Sequence, residues 1–206
     1  MKLVVAPHAV PTLIAMADSG LLLCVIGSVD YLGSFENMAK VEAAAGLAPN
    51  AVRRLGALAV AVAEDAERLW QKLRLANAEH ERLASMAEHW REITPAAGEQ
   101  PARALLYRLR AQHYTDRVLL AWARSNATAH DEAWLALASL PQRWNAPVFP
   151  LKAANFISRG VEKGPALGAA LAAAEEAWIA AGFPDDPEEL DAIAAAAQTP
   201  PLRSTS

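Results

Sequence analysis

The chemistry most available to this chain is phosphate recognition by arginine. Arg103, Arg110, Arg117 and Arg124 recur every seven residues, with Arg108 beside them and Arg53 and Arg54 earlier. Seven residues is close to two helical turns, so within one helix each pair shares a face. Guanidinium groups set along such a face suit phosphate oxygens, which they bind bidentately. Tyr107, Tyr114 and Trp122 lie between these arginines, either to stack on bases or to fill a core, and for Trp122 the core is the better expectation. A second candidate is the run RGVEKGPALGAAL, Arg159 to Leu171. Gly160 can end a short helix, Gly164 gives a turn its freedom, and Pro165 suits the first position of a new helix. Backbone N–H groups from Gly164 to Leu167 could then hold a phosphate, with Lys152, Arg159 and Lys163 as the cations around it. A solvated arginine face with carboxylate partners, and a purely structural turn, would explain the same residues without any RNA.

Catalytic patterns are missing. The chain has no GxSxG, GxGxxG, GxxxxGK[ST] or HExxH, so nucleophilic hydrolase, dinucleotide, P-loop and zincin chemistry find no support. The lone cysteine, Cys24, sits in LLLCVI, where apolar neighbours predict a packed and inert thiol. His80 and His89 are nine residues apart and would lie on opposite faces of one helix, so they cannot share a metal there.

The elements that must position these residues are helices. Alanine occurs 48 times and supplies nearly half of a 53% hydrophobic share, with only 13 aromatics, which favours closely packed helices over sheet. Apolar spacing and cap residues predict helices over roughly 9–18, 35–45, 51–62, 64–74, 78–92, 100–111, 115–127, 131–140 and 165–181, with weaker ones near 154–159 and 186–197. Gly20 and Gly46 sit where C-terminal caps belong; Ser34, Asn50, Asn77 and Thr115 sit where N-caps belong. The run PQRWNAPVFP, Pro141 to Pro150, forbids a helix and marks a junction. Four parts are expected: 1–48, a helical body 49–140, a tail domain 141–185, and an acidic then Ala-rich extension 186–206 whose end, TPPLRSTS, has too little apolar content to hold itself down. Net charge is −4, yet residues 50–125 hold 12 Lys/Arg against 9 Asp/Glu, so the middle is the part that could face an anion. The uncharged stretch Val4 to Ala17 is broken by Pro7, His8 and Pro11 and is too short to span a membrane; it also makes a poor signal peptide, and a cytoplasmic protein is expected.

The order of these motifs resembles the C-terminal half of bacterial class II tRNA nucleotidyltransferases, the CCA-adding enzyme and poly(A) polymerase family. The family's pattern near its end, approximately PLxGxDLxxxGxxPGPxxGxxLxxxxxxW, corresponds here to FPLKAANFISRGVEKGPALGAALAAAEEAW. GLLLCVIG, GLAPNAVRRLGALAV, RLANAEHERL and ARALLYRLRAQHYTDRVLLAWAR are also similar, and together they cover roughly residues 10–185 in family order. The resemblance implies an all-α neck remnant, body and tail that grip the tRNA acceptor arm. Catalysis would reside in a separate head with a GGxxRD-like loop and a DxD carboxylate pair, which would also hold Mg and CTP or ATP. Neither motif occurs here, so inactivity alone is implied, with a separate head polypeptide as a further partner and neither DNA nor membrane expected. Ala153, Asn155 and Phe156 replace the tail's Gly and Asp-Leu, and Lys163 replaces the proline before Gly164. Glu64, Asp65 and Arg68 spell EDxxR, the family's nucleotide-selecting template, but they follow the segment that in the family comes after it, and a helix start explains them. The alternative is an all-α scaffold or protein-interaction module, which would scatter its arginines among carboxylates where an RNA binder would gather them.

Overall fold

A computed structural model describes residues 1–198, and the expectation for Thr199 to Ser206 falls outside them. Among the described residues the fold is all-α, with no strand. Two compact units follow one another, the first from Met1 to Asn145 and the second from Ala146 onward, so the division falls inside the proline-rich run.

The first unit holds α1 (Ala9–Asp18), α2 (Leu21–Ile26), α3 (Leu32–Ala44), α4 (Ala51–Ala59), α5 (Ala63–Leu73), α6 (Asn77–Ala87), α7 (Glu99–Ala123), α8 (Glu132–Ala138) and α9 (Leu140–Arg143). It takes in both the 1–48 and the 49–140 segments. Its core is built from Phe35 and Met38 of α3, Leu55 and Leu58 of α4, Leu69 of α5, Leu83 and Met86 of α6, and the run Val118 to Ala123 of α7. Gly56 lets α4 approach α6, since a Cβ there would lie 2.5 Å from Met86 Cε. Trp122 is core, stacked parallel to Trp134 with ring centroids 6.2 Å apart.

Local chemistry explains the element ends. Asn50 caps α4, its side chain accepting from the N–H groups of Val52 and Arg53. Gly20 and Gly46 follow their helices in the left-handed conformation that glycine tolerates. Ser34 and Thr115 are not caps: α3 begins at Leu32, and Thr115 lies inside α7 with its hydroxyl donating to the Ala111 carbonyl. Asn77 is the first residue of α6, whose entry is secured by Glu79 accepting from Ala76 N–H. At α5, Asp65 accepts from the N–H groups of Ala61 and Val62 and pairs with Arg68, which is the structural role that a helix start gives EDxxR.

Two expectations are corrected. LLLCVI forms its own helix, α2, which buries only Leu22 and Ile26 and leaves Cys24 exposed; an i, i+4 pair of buried residues is all that a six-residue helix presents to one neighbour. Pro141 does not forbid a helix, because α9 carries it in the first turn, where its missing N–H has no partner to lose. The two helices expected over 100–111 and 115–127 are both present: Glu99–Ala123, labelled α7 as a whole, is two helical stretches joined across a kink at Arg110, whose φ of 65° and ψ of 166° are non-helical.

The second unit holds α10 (Ala153–Ile157), α11 (Pro165–Ala180) and α12 (Pro187–Ala196) around Phe156, Ala170, Ala174 and Ala194. Trp178 is buried, donates from Nε1 to the Pro184 carbonyl at 2.7 Å, and meets Phe149 and Phe183 at 5.3 and 5.0 Å between centroids. Thus α12, read in the sequence as an extension, supplies Ala194 to this core.

Candidate nucleic-acid interface

The arginines of the first unit divide into three environments. Arg53 and Arg54 on α4 are buried. Glu42 of α3, itself 1% exposed, accepts from Arg53 Nη1 at 2.9 Å and Arg54 Nε at 2.7 Å. Asp116 of α7, fully buried, accepts from Arg53 Nε at 3.0 Å and from Arg82 of α6 at 2.8 and 3.0 Å. Arg54 also donates to the Val4 carbonyl and Arg82 to the Asn50 amide oxygen, so the cluster ties the N-terminal turn, α3, α4, α6 and α7 together. Arg117 is buried nearby in the chain, donating to Ser85 Oγ at 3.1 Å and Glu88 at 2.7 Å. A buried guanidinium left without such partners would carry a heavy desolvation penalty, which is why each finds a carboxylate. Arg53, Arg54 and Arg117 therefore hold the protein together, and their hydrogen-bonding edges face carboxylates.

The second environment is the surface of α7. Arg103 pairs with Glu99 at 2.6 Å, and Glu99 also takes Arg143 at 2.9 Å. Those two hydrogen bonds, from Arg143 first and then Arg103, hold the Glu99 carboxyl below the usual carboxylate range. Arg103 also lies 5.6 Å from the Trp144 ring centroid. Arg108 and Arg110 are exposed. The seven-residue spacing does not produce a shared face across the chain, because the break at Arg110 resets the helical register between Arg103 and Arg117. Tyr114 is core, donating to the Leu137 carbonyl, and burial raises its pKa.

The third environment belongs to Arg124, at the end of α7. Its Nε donates to Ser34 Oγ at 3.2 Å and its Nη2 to the carbonyls of Ala57 and Val60 at 3.3 and 2.6 Å. Its guanidinium carbon sits 5.1 Å from the Tyr31 ring centroid and 4.6 Å from that of Trp90. Burial, reinforced by the charge of Arg91, pushes its pKa down to about 10, which leaves it protonated at neutral pH.

In the second unit, Gly164 is the N-cap of α11, with φ of 130°, and Pro165 opens the helix. Lys152 and Lys163 are exposed. Arg159 is tied to the Asn155 carbonyl and to Asp191 of α12. Asn155 is the third residue of α10, and its side chain secures the helix entry by accepting from the N–H of Lys152, the N-cap, at 2.8 Å. The histidines are placed apart: His80 stacks on Trp70 at 4.8 Å and faces Glu67, while His89 lies beyond the end of α6 and pairs with Glu92. Among the described residues no group of three or more His, Cys, Asp or Glu side chains is arranged to hold a metal, and no helix is long and apolar enough to cross a membrane.

A scan against protein-family models finds no match, and a search of curated proteins finds none. Function therefore rests on this chain's own residues. Sequence reasoning missed Glu42, Asp116 and Arg82 as the partners of the paired arginines, although Glu42 was legible: it falls on the same helical stripe as buried Phe35 and Met38. Trp90 and Arg91 were also missed, and no sequence signal marks them.

Proposed function

We propose that this chain grips the acceptor arm of tRNA as the RNA-holding part of a tRNA nucleotidyltransferase of the CCA-adding or poly(A) polymerase kind, and performs no nucleotidyl transfer by itself. The observation that carries the proposal is one of order. The resembling segments run from neck to body to tail along the sequence, and the fold is a helical unit followed after Asn145 by a second, smaller helical unit. The absence of both head motifs from the sequence supports catalytic silence, with Mg and CTP or ATP belonging to a separate head polypeptide. Leu21, Leu23 and Val25 of α2 are exposed apolar side chains, which supports such a protein partner.

Phosphate contacts fall on Arg108, Arg110, Lys152 and Lys163 and on the N-terminus of α11 after Gly164, since these cations are exposed. Four neutralised phosphates give a log–log slope of affinity against salt of about −3 to −4. Filter binding of tRNA between low and moderate salt tests this, and no binding, or binding indifferent to salt, refutes it. Mixing with a head polypeptide should restore CTP- and ATP-dependent addition to tRNA. The scaffold reading is favoured by one observation, the pairing of Arg53, Arg54, Arg82, Arg103 and Arg117 with carboxylates. It predicts that the chain ignores tRNA at any salt.

A further inference from the structure

A cleft of about 500 Å³ opens between α3, the 3-10 turn Trp90–Glu92 and the end of α7. Its lining includes Arg91 and Arg124, the rings of Tyr31 and Trp90, and the amides of Asn37 and Asn126, and it contains no Asp or Glu. In a chain of net charge −4, whose other arginines largely face carboxylates, two cations in one cleft whose lining holds no carboxylate are an exception, with Asp65 near enough to act on the charge of Arg124.

The two guanidinium groups crowd one ring: Arg91 lies 4.5 Å and Arg124 4.6 Å from the Trp90 centroid. Each gains from the ring's negative face, yet the two repel one another. Arg124 is fixed through Nε and Nη2, and among the described residues its Nη1 meets no hydrogen-bond partner. Arg91 is exposed, and among the described residues no ion pair holds it. Both side chains line the cleft, so an anion bound there would meet the positive charge of both and offset the repulsion. Tyr31, 38% exposed, offers a flat ring beside that position. The volume is that of a small-ligand pocket. Phosphate and a planar ring joined in one molecule describe a nucleotide.

We infer that this cleft binds one nucleotide, its phosphate held by Arg91 and by Nη1 of Arg124 and its base laid against Tyr31, with the Asn37 and Asn126 amides at the base edge. An unpaired residue of an RNA strand and a free mononucleotide share this chemistry. The tRNA-binding proposal bears only on which of these is the source; the cleft stands on its own geometry.

The test is an amide and indole NMR titration of the full chain with AMP, CMP, adenosine, inorganic phosphate and a four-nucleotide single-stranded RNA. Saturable shifts are expected at Tyr31, Ser34, Arg91, Arg124 and the Trp90 indole, with nucleotides binding about tenfold more tightly than phosphate or nucleoside, the size of one base stack. Arg91→Ala, a change at an exposed side chain, should weaken AMP about tenfold, and Arg91→Glu should abolish the shifts. Tyr31→Leu should weaken AMP but leave phosphate unchanged. Tighter binding of the strand than of AMP makes RNA the source, and the reverse makes it a free nucleotide. The inference is overturned by shifts that avoid the cleft, by phosphate binding as tightly as AMP, by insensitivity to Arg91→Glu, or by a phosphotyrosine peptide outcompeting AMP. If tRNA binds but nucleotides and the strand leave the cleft unchanged, only this inference fails; if AMP binds there and tRNA does not bind, only the tRNA proposal fails.

Discussion

Replacing Asp116 with alanine tests whether the arginines of α4 and α6 are structural. Asp116 is fully buried and accepts three charged hydrogen bonds, at 2.8, 3.0 and 3.0 Å, from Arg53 and Arg82. Without it Arg53 keeps Glu42, and Arg82 keeps only the Asn50 amide oxygen at 3.1 Å. Removing one partner of a buried pair costs roughly 3–5 kcal/mol because the other charge is stranded. Arg82 is 12% exposed in its side chain, so part of its charge can turn toward water, which sets the expectation near the lower end, about 3 kcal/mol. A loss of that size lowers the melting temperature by roughly 6–12 °C in a domain of this length. Urea unfolding followed by far-UV circular dichroism measures it directly. Combining Asp116→Ala with Arg82→Ala should cost less than the sum of the two single changes by about 1–3 kcal/mol, since the second change removes the stranded charge. A loss under about 1 kcal/mol, or strict additivity, would refute the internal role and return Arg53 to the candidates for phosphate binding.

Arg110→Gly should stabilise the chain by up to about 1 kcal/mol, because an arginine at φ 65°, ψ 166° bears backbone strain that glycine does not, less the entropy glycine gains on unfolding; a melting temperature that falls would contradict this. Asp65 is partly desolvated, which raises its pKa, but Arg68 and the Ala61 and Val62 N–H groups outweigh this and hold it below the usual carboxylate value. Its contribution to stability is therefore complete above the unfolded carboxyl's pKa and disappears as pH falls through the lower folded value; Asp65→Asn should flatten the acid limb of a stability–pH curve, and an unchanged limb would exclude Asp65 from it. Trp178→Ala should cost the second unit about 3–5 kcal/mol, seen as faster hydrogen exchange within residues 146–198, and unaltered exchange there would show that Trp178 is not its keystone. Arg117→Ala should lower stability by leaving Ser85 and Glu88 unpartnered, whereas Lys163→Ala, at an exposed side chain, should reduce tRNA affinity at constant melting temperature; interchange of the two outcomes would reverse their assignments.

Where a feature depends on a few adjacent residues, the sequence carried it. Asn50 caps α4 because an asparagine two and three residues before free N–H groups satisfies both, and Gly20 and Gly46 end helices because a left-handed residue is needed there. Where a feature depends on distance in space, it was hidden. Cys24 has apolar neighbours in the chain, yet α2 turns only Leu22 and Ile26 inward and leaves the thiol outside, with Lys72 donating to the Cys24 carbonyl. The seven-residue arginine period was counted through Arg110, where the helix breaks. Trp90 and Arg91 meet Arg124 where His89 adopts φ of 50° and turns the chain after α6, a conformation that histidine tolerates better than most residues but that its presence alone does not specify.

Burial also changes the meaning of the basic middle. Of the 12 Lys/Arg in residues 50–125, Arg53, Arg54, Arg82 and Arg117 point inward, while of its 9 Asp/Glu only Asp116 is buried. Setting these aside leaves eight cations and eight carboxylates, so the excess of positive charge counted along the chain is an internal quantity that a polyanion approaching the surface does not meet. A protein of this kind should bind heparin or duplex DNA poorly, because non-specific affinity follows surface charge. Any grip on RNA must then come from places where carboxylates are locally absent, and the Arg91–Arg124 cleft is such a place. Recognition would follow from geometry at a few side chains, with net charge contributing little.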